Sequence, residues 1–314
     1  MQVEKDGEIH MAYGLQTYQD TVRREDLSDV LGDASPDANP VSTMIGTTTA
    51  KGTYHEWQED YIARPSSVST SIEGAAATYS DLTQPARRGN FTHILTQTVR
   101  VSGTESAVDV AGMGDPFDYQ KAKQLRVYKN NLEYAIINGA AASGASGVAR
   151  QMIGIDSVTT SHYTARNSGT SLSENEFNDI VNDVWTDVGT DQVFDVVLVP
   201  FFQKRAISGF TAGSTKFVDA SDKRLTRPVM VYESDGGVHR IFAHKDVRSG
   251  AATPGPTLLA FREDKYKRAI LRPVKFEELA KDGDRRNGMW VGEETLEYKA
   301  ERTGAKRTGY VNSN

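Results

Sequence analysis

The sequence has no cysteine in its 314 residues. That excludes a disulfide framework, a thiolate nucleophile and a cysteine-ligated metal site; it does not name a compartment. Large aliphatic and phenyl side chains are also scarce. Leu, Ile, Val and Phe total 66, or 21% of the chain, just above the ~20% below which a highly charged chain is expected to be disordered. A monomer of 34.4 kDa should bury roughly three-quarters of its unfolded surface, and few residues here are suited to it. Either much of the chain is extended and completed by neighbouring copies, or its domains are small. No apolar run approaches the ~20 residues that span a bilayer, and the mean hydropathy is −0.50. A transmembrane helix is therefore excluded, and no membrane partner is expected. The opening MQVEKDGEIHMAYG is acidic and lacks the apolar stretch of a signal peptide. Positive charge is not in excess: 36 Lys and Arg stand against 42 Asp and Glu, net −6. Residues 1–157 hold 13 basic and 20 acidic groups, net −7, and residues 158–314 hold 23 and 22, net +1. A dedicated DNA reader, whose footprint is a basic patch, is a poor fit. The unequal halves either meet between copies or form an ordinary solvated surface.

What is present changes character along the chain. Residues 1–50 lack steady periodicity, except that RREDLSDVL places Leu27, Val30 and Leu31 on one helical face. Pro36 and Pro40 then push their preceding residues out of the helical region, so an extended arm is expected. From Thr53 to Ile62 the pattern alternates, with His55, Trp57 and Tyr61 against Glu56, Gln58 and Asp60. From Phe91 to Val101 it alternates again, with Phe91, His93, Leu95, Val99 and Val101 against Thr92, Thr96, Thr98 and Arg100. Period two argues for half-exposed strands. Between them, 12 of the 18 residues from Ala63 to Ser80 are Ala, Ser, Thr or Gly, too little apolar surface to fold alone. The joint reading is one long hairpin with a low-complexity tip; the alternative is two unrelated strands joined by a surface loop. An isolated ribbon is marginal in water, so a long one needs a neighbour to lie on.

A helix is expected over Pro116–Asn138. Asp115 is a good N-cap and Pro116 fits the first helical position. Ala122, Leu125, Tyr128, Leu132 and Ile136 form its stripe, and Gly139 fits the position after its end. Lys121, Lys123, Arg126 and Lys129 lie off the stripe, facing either solvent or nucleic acid. GAAASGASG, from Gly139 to Gly147, reads as a linker and matches no dinucleotide or P-loop fingerprint. Ser173 and Glu176 then make a capping box ahead of a stripe of Phe177, Ile180, Val181, Val184, Trp185 and Val188, ended by Gly189. Val193–Val199 reads as a buried strand, FFQKRAISGF as a short helix opened by Pro200, and VMVYES, Asp235-Gly236-Gly237 and VHRIFAH as strand, turn and strand. The whole is an α+β region. TLLAFR, YKRAILRP and MWVGEETLEYKAER are further strands, with a short helix at KFEELAK. If these late strands pair with the hairpin and long helix, the chain leaves a first domain, builds a second, and returns.

Catalytic patterns are missing. His10, His55, His93, His162, His239 and His244 are scattered with no zinc spacing; His239 and His244, five apart on strand residues, fall on opposite faces. Ser146 lacks a nucleophile elbow. Asp179, Asp183 and Asp187 share a helix face, either solvated or able to hold a cation. No nucleophile has a positioned base. No catalytic, metal or cofactor residue is assigned, and no cofactor is expected.

REDLSDVL, GTYHEWQEDYIARP, RRGNFTHILTQTVRVSGTESAVDVAG, PFFQKRAISGF, LRPVKFEELAKDGD and TLEYKAERTGAKRTG stand in an order and spacing that resembles a family of tailed-bacteriophage major capsid proteins with the Hong Kong 97-type fold. The resemblance covers roughly residues 23–309. It implies an α+β architecture: an N-terminal arm at 1–52, an extended β-hairpin loop at 53–101, a peripheral domain with its spine helix at 102–139, an axial domain at 140–255, and peripheral return strands at 256–314. It also implies a non-enzymatic protein that forms hexamers and pentamers of an icosahedral shell around double-stranded DNA. Some members weld their shells through a loop lysine; here no lysine lies between Lys51 and Lys121, so that crosslink cannot form. The short stretch before the matching region suggests a separate scaffolding protein, with a portal and a decoration protein as further partners and non-specific contact with packaged DNA. The expected location is the virion capsid, assembled in the bacterial host cytoplasm. Candidate subunit contacts are Glu56, Asp60, Arg64, Arg87 and Arg88 by charge and Trp57, Phe91 and Leu95 by apolar area, with packing inside their own subunit the alternative for the last three. Gly112, Gly114, Gly139, Gly144 and Gly147 are candidate hinges. The competing readings are a β-rich tail or fibre component that contacts the host surface, and a hydrolase using Asp179 or Glu233.

Overall fold

The computed structural model describes residues 39–62, 65, 67–77, 79, 84–108, 114–210, 231–248 and 257–311. Leu27, Val30, Leu31, Arg64, Gly112 and the start of VMVYES lie outside the described residues. The chain runs α1 (Pro40–Met44), β1 (Gly46–Thr49), β2 (Tyr54–Glu59), β3 (Ala86–Phe91), β4 (His93–Ser102), α2 (Gly103–Ala107), α3 (Pro116–Asn138), α4 (Ile155–Val158), β5 (Tyr163–Thr170) and α5 (Glu174–Val188). It continues through β6 (Val196–Val199), α6 (Phe201–Ile207), β7 (Val231–Ser234), β8 (Gly237–Ala243), β9 (Thr257–Phe261), β10 (Tyr266–Leu279), β11 (Arg285–Tyr298) and β12 (Ala305–Tyr310).

The strands make three sheets. A four-stranded sheet has the order β1-β10-β11-β4, a six-stranded sheet β5-β12-β9-β6-β8-β7, and β2 and β3 form a separate ribbon. The 14-residue strands β10 and β11 span roughly 45 Å, and α3 packs across β4 and β11. The six-stranded sheet is covered on both faces, which is why its central strands are continuous apolar runs. Val196, Leu198, Leu259 and Phe261 join Tyr128, Leu132, Ile136, Leu95, Tyr266 and Leu296 in one core. Val197, Val199, Leu258 and Ala260 face the other way, against Phe177, Ile180 and Val184 of α5 and Ile207 of α6.

The helices follow their local chemistry. The Asp115 carboxylate accepts from the Phe117 amide at 2.8 Å, and the Ser173 hydroxyl from the Glu176 amide at 3.3 Å. Gly189, at φ 85, ends α5 in a conformation that L side chains rarely adopt.

The structure corrects several expectations. The partner of β2 is β3, not the run from Phe91 to Val101. Tyr54 pairs with Phe91 and Glu59 with Ala86, whereas β4 leaves the ribbon after Thr92 and pairs with β11. KFEELAK is not helical: Lys275–Leu279 continue β10 opposite Val291–Asn287. The boundary at 256 does not separate the sheets, because β9 and β12 both lie within the six-stranded one. Gly139–Gly147 is not a free linker, since bridges Ala142↔Gln151 and Ala145↔Val148 fold it back on itself. Gly139 packs so closely that a Cβ would sit 2.5 Å from the Ala135 and Met152 carbonyl oxygens; its φ of −55 shows that close approach, not a left-handed turn, demands glycine. Gly144 and Gly147 have φ of +77 and +81 and serve the tight turn, while Gly114 stands in open space.

Candidate assembly interface

The ribbon has a pinned root and a free end. At the root, His55 Nε2 lies 2.7 Å from the Glu297 carboxylate, and the Trp57 ring packs edge-on to Tyr298 at 4.9 Å. Glu59 accepts from the Trp57 indole at 3.3 Å and from the Ala300 amide at 3.2 Å. Asn90 accepts from the Ile153 amide at 2.9 Å and donates to the Leu296 carbonyl at 2.8 Å. Thr92 donates to Glu293 at 2.6 Å, and Glu293 is further held by Arg150 at 2.6 Å and Arg272 at 3.0 Å. Burial works to raise the Glu297 pKa, but hydrogen bonds from His55 and Lys299 outweigh it and hold the carboxyl below the usual range. Tyr54 lies over Gly89, where a Cβ would meet its ring at 2.7 Å.

Beyond Glu59, Tyr61 still lies under the Arg302 guanidinium, 5.0 Å from its ring, and past it the apolar side chains are uncovered. Ile62 is 97% exposed, Val68 86%, Ile72 83% and Tyr79 92%. The only regular feature between is a turn at Glu73-Gly74 among the described residues. These apolar tips were the residues that sequence reasoning passed over; the visible signal was Val68, Ile72 and Tyr79 inside a small-residue segment, with Ile62 just ahead of it.

The sequence-derived contact residues separate accordingly. Glu56 and Arg87 form an exposed ion pair across the ribbon, Arg88 pairs with Glu59 at 3.5 Å, and Asp60 is exposed. Phe91 is half-buried against Tyr54, ring centroids 4.6 Å apart. Trp57 and Leu95 are each 8% exposed and packed within their own chain, so neither is an anchor for a neighbour. The reason is β4: Leu95 points from it into the α3 core.

A second junction, unread in the sequence, ties the entering chain to α3. Glu133 is fully buried; its two oxygens accept from the Val41 and Ser42 amides at 2.7 Å each, and one also meets His244 Nε2 at 3.0 Å. His239 lies on the opposite face of the sheet, contacting the Phe194 carbonyl at 2.9 Å and the Ser234 hydroxyl at 2.7 Å. Both histidines are structural. On α5, Asp183 pairs with buried Arg307 and Asp187 with Arg302 at 3.2 Å. Among the described residues no three His, Asp or Glu side chains gather to hold a metal.

A long helix laid across a sheet of elongated strands, a mixed-sheet domain inserted between them, and a projecting two-stranded loop define the Hong Kong 97-type capsid fold. The structure aligns with the capsid of a native GTA particle over 92% of this chain and 96% of that one, at 11% identity and a TM-score of 0.65. It also aligns with the chain from Gordonia phage Cozz over 93% and 92%, at 11% identity and a TM-score of 0.61, and with the capsid of Myoviridae phage XM1 over 91% and 96%, at 14% and 0.59. The chain belongs to the SU10 major capsid protein family, whose profile matches residues 13–310. A major capsid protein of Escherichia phage Phieco32 is 30% identical over 107 residues, a match that spans 34% of this chain and 30% of that relative.

Proposed function

We propose that this chain is the shell-forming subunit of a tailed phage, assembling in the host cytoplasm into hexamers and pentamers of an icosahedral capsid around double-stranded DNA. The role is geometric rather than catalytic. The observation that carries it is the loop that its own subunit does not cover, with Ile62, Val68, Ile72 and Tyr79 in water. Burying one such side chain contributes about 1.5–3 kcal/mol, against ~0–1 kcal/mol for an exposed ion pair such as one at the ribbon edge. Apolar seating on a neighbouring copy therefore outweighs the charge contacts of Glu56, Asp60, Arg87 and Arg88. Lys123, Arg126 and Lys129 on the exposed side of α3 supply a non-specific contact for the packaged DNA. A scaffolding protein, a portal and a decoration protein complete the set of partners.

Expression of the chain with its neighbouring phage genes, followed by electron microscopy, tests the proposal. A lattice with five- and six-fold vertices supports it; a closed trimer would favour a fibre component, and monomers alone under every such condition would overturn it. Because no lysine lies between Lys51 and Lys121, boiled shells should release single 34.4 kDa chains on a denaturing gel. A ladder of loop-linked multimers would contradict this.

A further inference from the structure

The six-stranded sheet carries two unlike surfaces at opposite ends. The first is a cleft of about 540 Å³ between α5 and the β7–β8 turn, lined by Asn178, Asp179, Asn182, Trp185 and Asp235 and, among the described residues, by no cation. Every charged residue of α5, ENEFNDIVNDVWTDV, is acidic, and Trp185 is 43% exposed. The turn is seated tightly on the helix, since a Cβ at Gly236 would lie 2.4 Å from Val181. The cleft thus has a fixed floor, an aromatic wall and two exposed carboxylates.

The second surface is α6. Phe201, its first residue, is 78% exposed. Lys204 and Arg205 follow at i+3 and i+4, hence on the same side of the helix, with Arg205 exposed. The two surfaces are far apart in one copy. β6 runs parallel to β8 with Val199 opposite Ala243, and α6 begins just past that end, whereas the turn precedes Gly237 at the other. The seven residues of β8 between them span roughly 23 Å. One copy cannot bring its own knob to its own cleft, but two copies can, head to tail. Such a heterologous contact closes into a ring when its rotation permits and otherwise propagates as a filament.

We infer that the α6 end of one copy seats in the α5 cleft of the next, with Phe201 against Trp185 and with Lys204 and Arg205 facing Asp179 and Asp235. An aromatic pair beside charge-assisted bonds from cations to carboxylates is a favourable arrangement, and Trp and Arg are the residues on which interface energy concentrates. The inference rests on the reading that copies of this chain assemble, and it names the surfaces that meet.

The absence of native cysteine allows a direct test on the full chain. Asp179→Cys and Arg205→Cys, placed together, should give a disulfide ladder of dimers, trimers and longer species on a non-reducing gel after mild oxidation of assembled protein. Either substitution alone should leave monomers. No ladder from the double variant, or dimers from a single one, would overturn the contact. Independently, Lys204→Glu with Arg205→Glu should abolish assembly, and adding Asp179→Lys with Asp235→Lys should restore it; no loss with the first pair, or no restoration with the second, counts against the contact. Shells without a ladder would refute this interface and leave the shell standing. A ladder from protein that forms no shell would do the reverse.

Discussion

Glu133 is a carboxylate with no exposed surface, facing the core from the C-terminal third of α3. Burial pushes its pKa up, but the bonds from His244, Ser42 and the Val41 amide outweigh that and hold it below the usual range. A depressed folded pKa means that the unfolded chain binds the proton more readily. The contribution of Glu133 is therefore whole above the ordinary carboxylate pKa and is lost as pH falls through the lower, folded value. Glu133→Ala strands His244 and two backbone amides, and should destabilise the chain by about 3–5 kcal/mol, read as a lower urea midpoint at neutral pH. Glu133→Gln should flatten the decline of that midpoint between neutral and acid pH; an unchanged decline would show that the proton is taken up elsewhere. Nothing in the sequence joined Glu133 to His244, because the residues are 111 apart and each alone fits an ordinary solvated position.

At the scale of elements, what was legible was local. Caps at Asp115 and Ser173 and the 3.6-residue stripes fixed α3 and α5 with their ends, although Ala122 and Trp185, read into those stripes, are exposed. What was illegible depended on partners. KFEELAK has helix-forming residues, yet Phe276 is wedged edge-on to Phe117 at 6.0 Å and Trp290 at 5.2 Å, over Gly288, where a Cβ would strike its ring at 2.3 Å. That packing, with the ladder to β11, overrides propensity. The change of partner at Thr92 was hidden because alternation continues through it on both sides. The β2–β3 register yields a prediction at this scale. Since Glu59 pairs with Ala86, replacing residues 60–85 with Asn-Gly should close the ribbon as a two-residue hairpin. The root contacts of His55, Trp57 and Asn90 remain and, among the described residues, only the contact of Tyr61 with Arg302 is lost, so the thermal midpoint of the monomer should stay within a few degrees while particle formation disappears by electron microscopy. Intact particles from this variant would remove the loop from assembly.

The whole molecule is organised by one core that both large sheets share. Tyr128 and Leu132 of α3, Leu296 of β11 and Val196 and Phe261 of the six-stranded sheet belong to the same cluster. Low aliphatic content had suggested either small domains or an extended chain, and the answer combines a joint interior with an uncovered loop. Scanning calorimetry of the monomer should give one unfolding transition, its calorimetric and van't Hoff enthalpies equal; two resolved transitions would mean that the sheets fold apart. Strand order also bears on synthesis. β12 stands between β5 and β9, although it is the last strand in chain order among the described residues. While the ribosome still holds Ala305, β5 has no ladder partner and the edge of β9 is open. Chains cut short before Ala305 therefore keep two open strand edges and stay prone to non-native pairing.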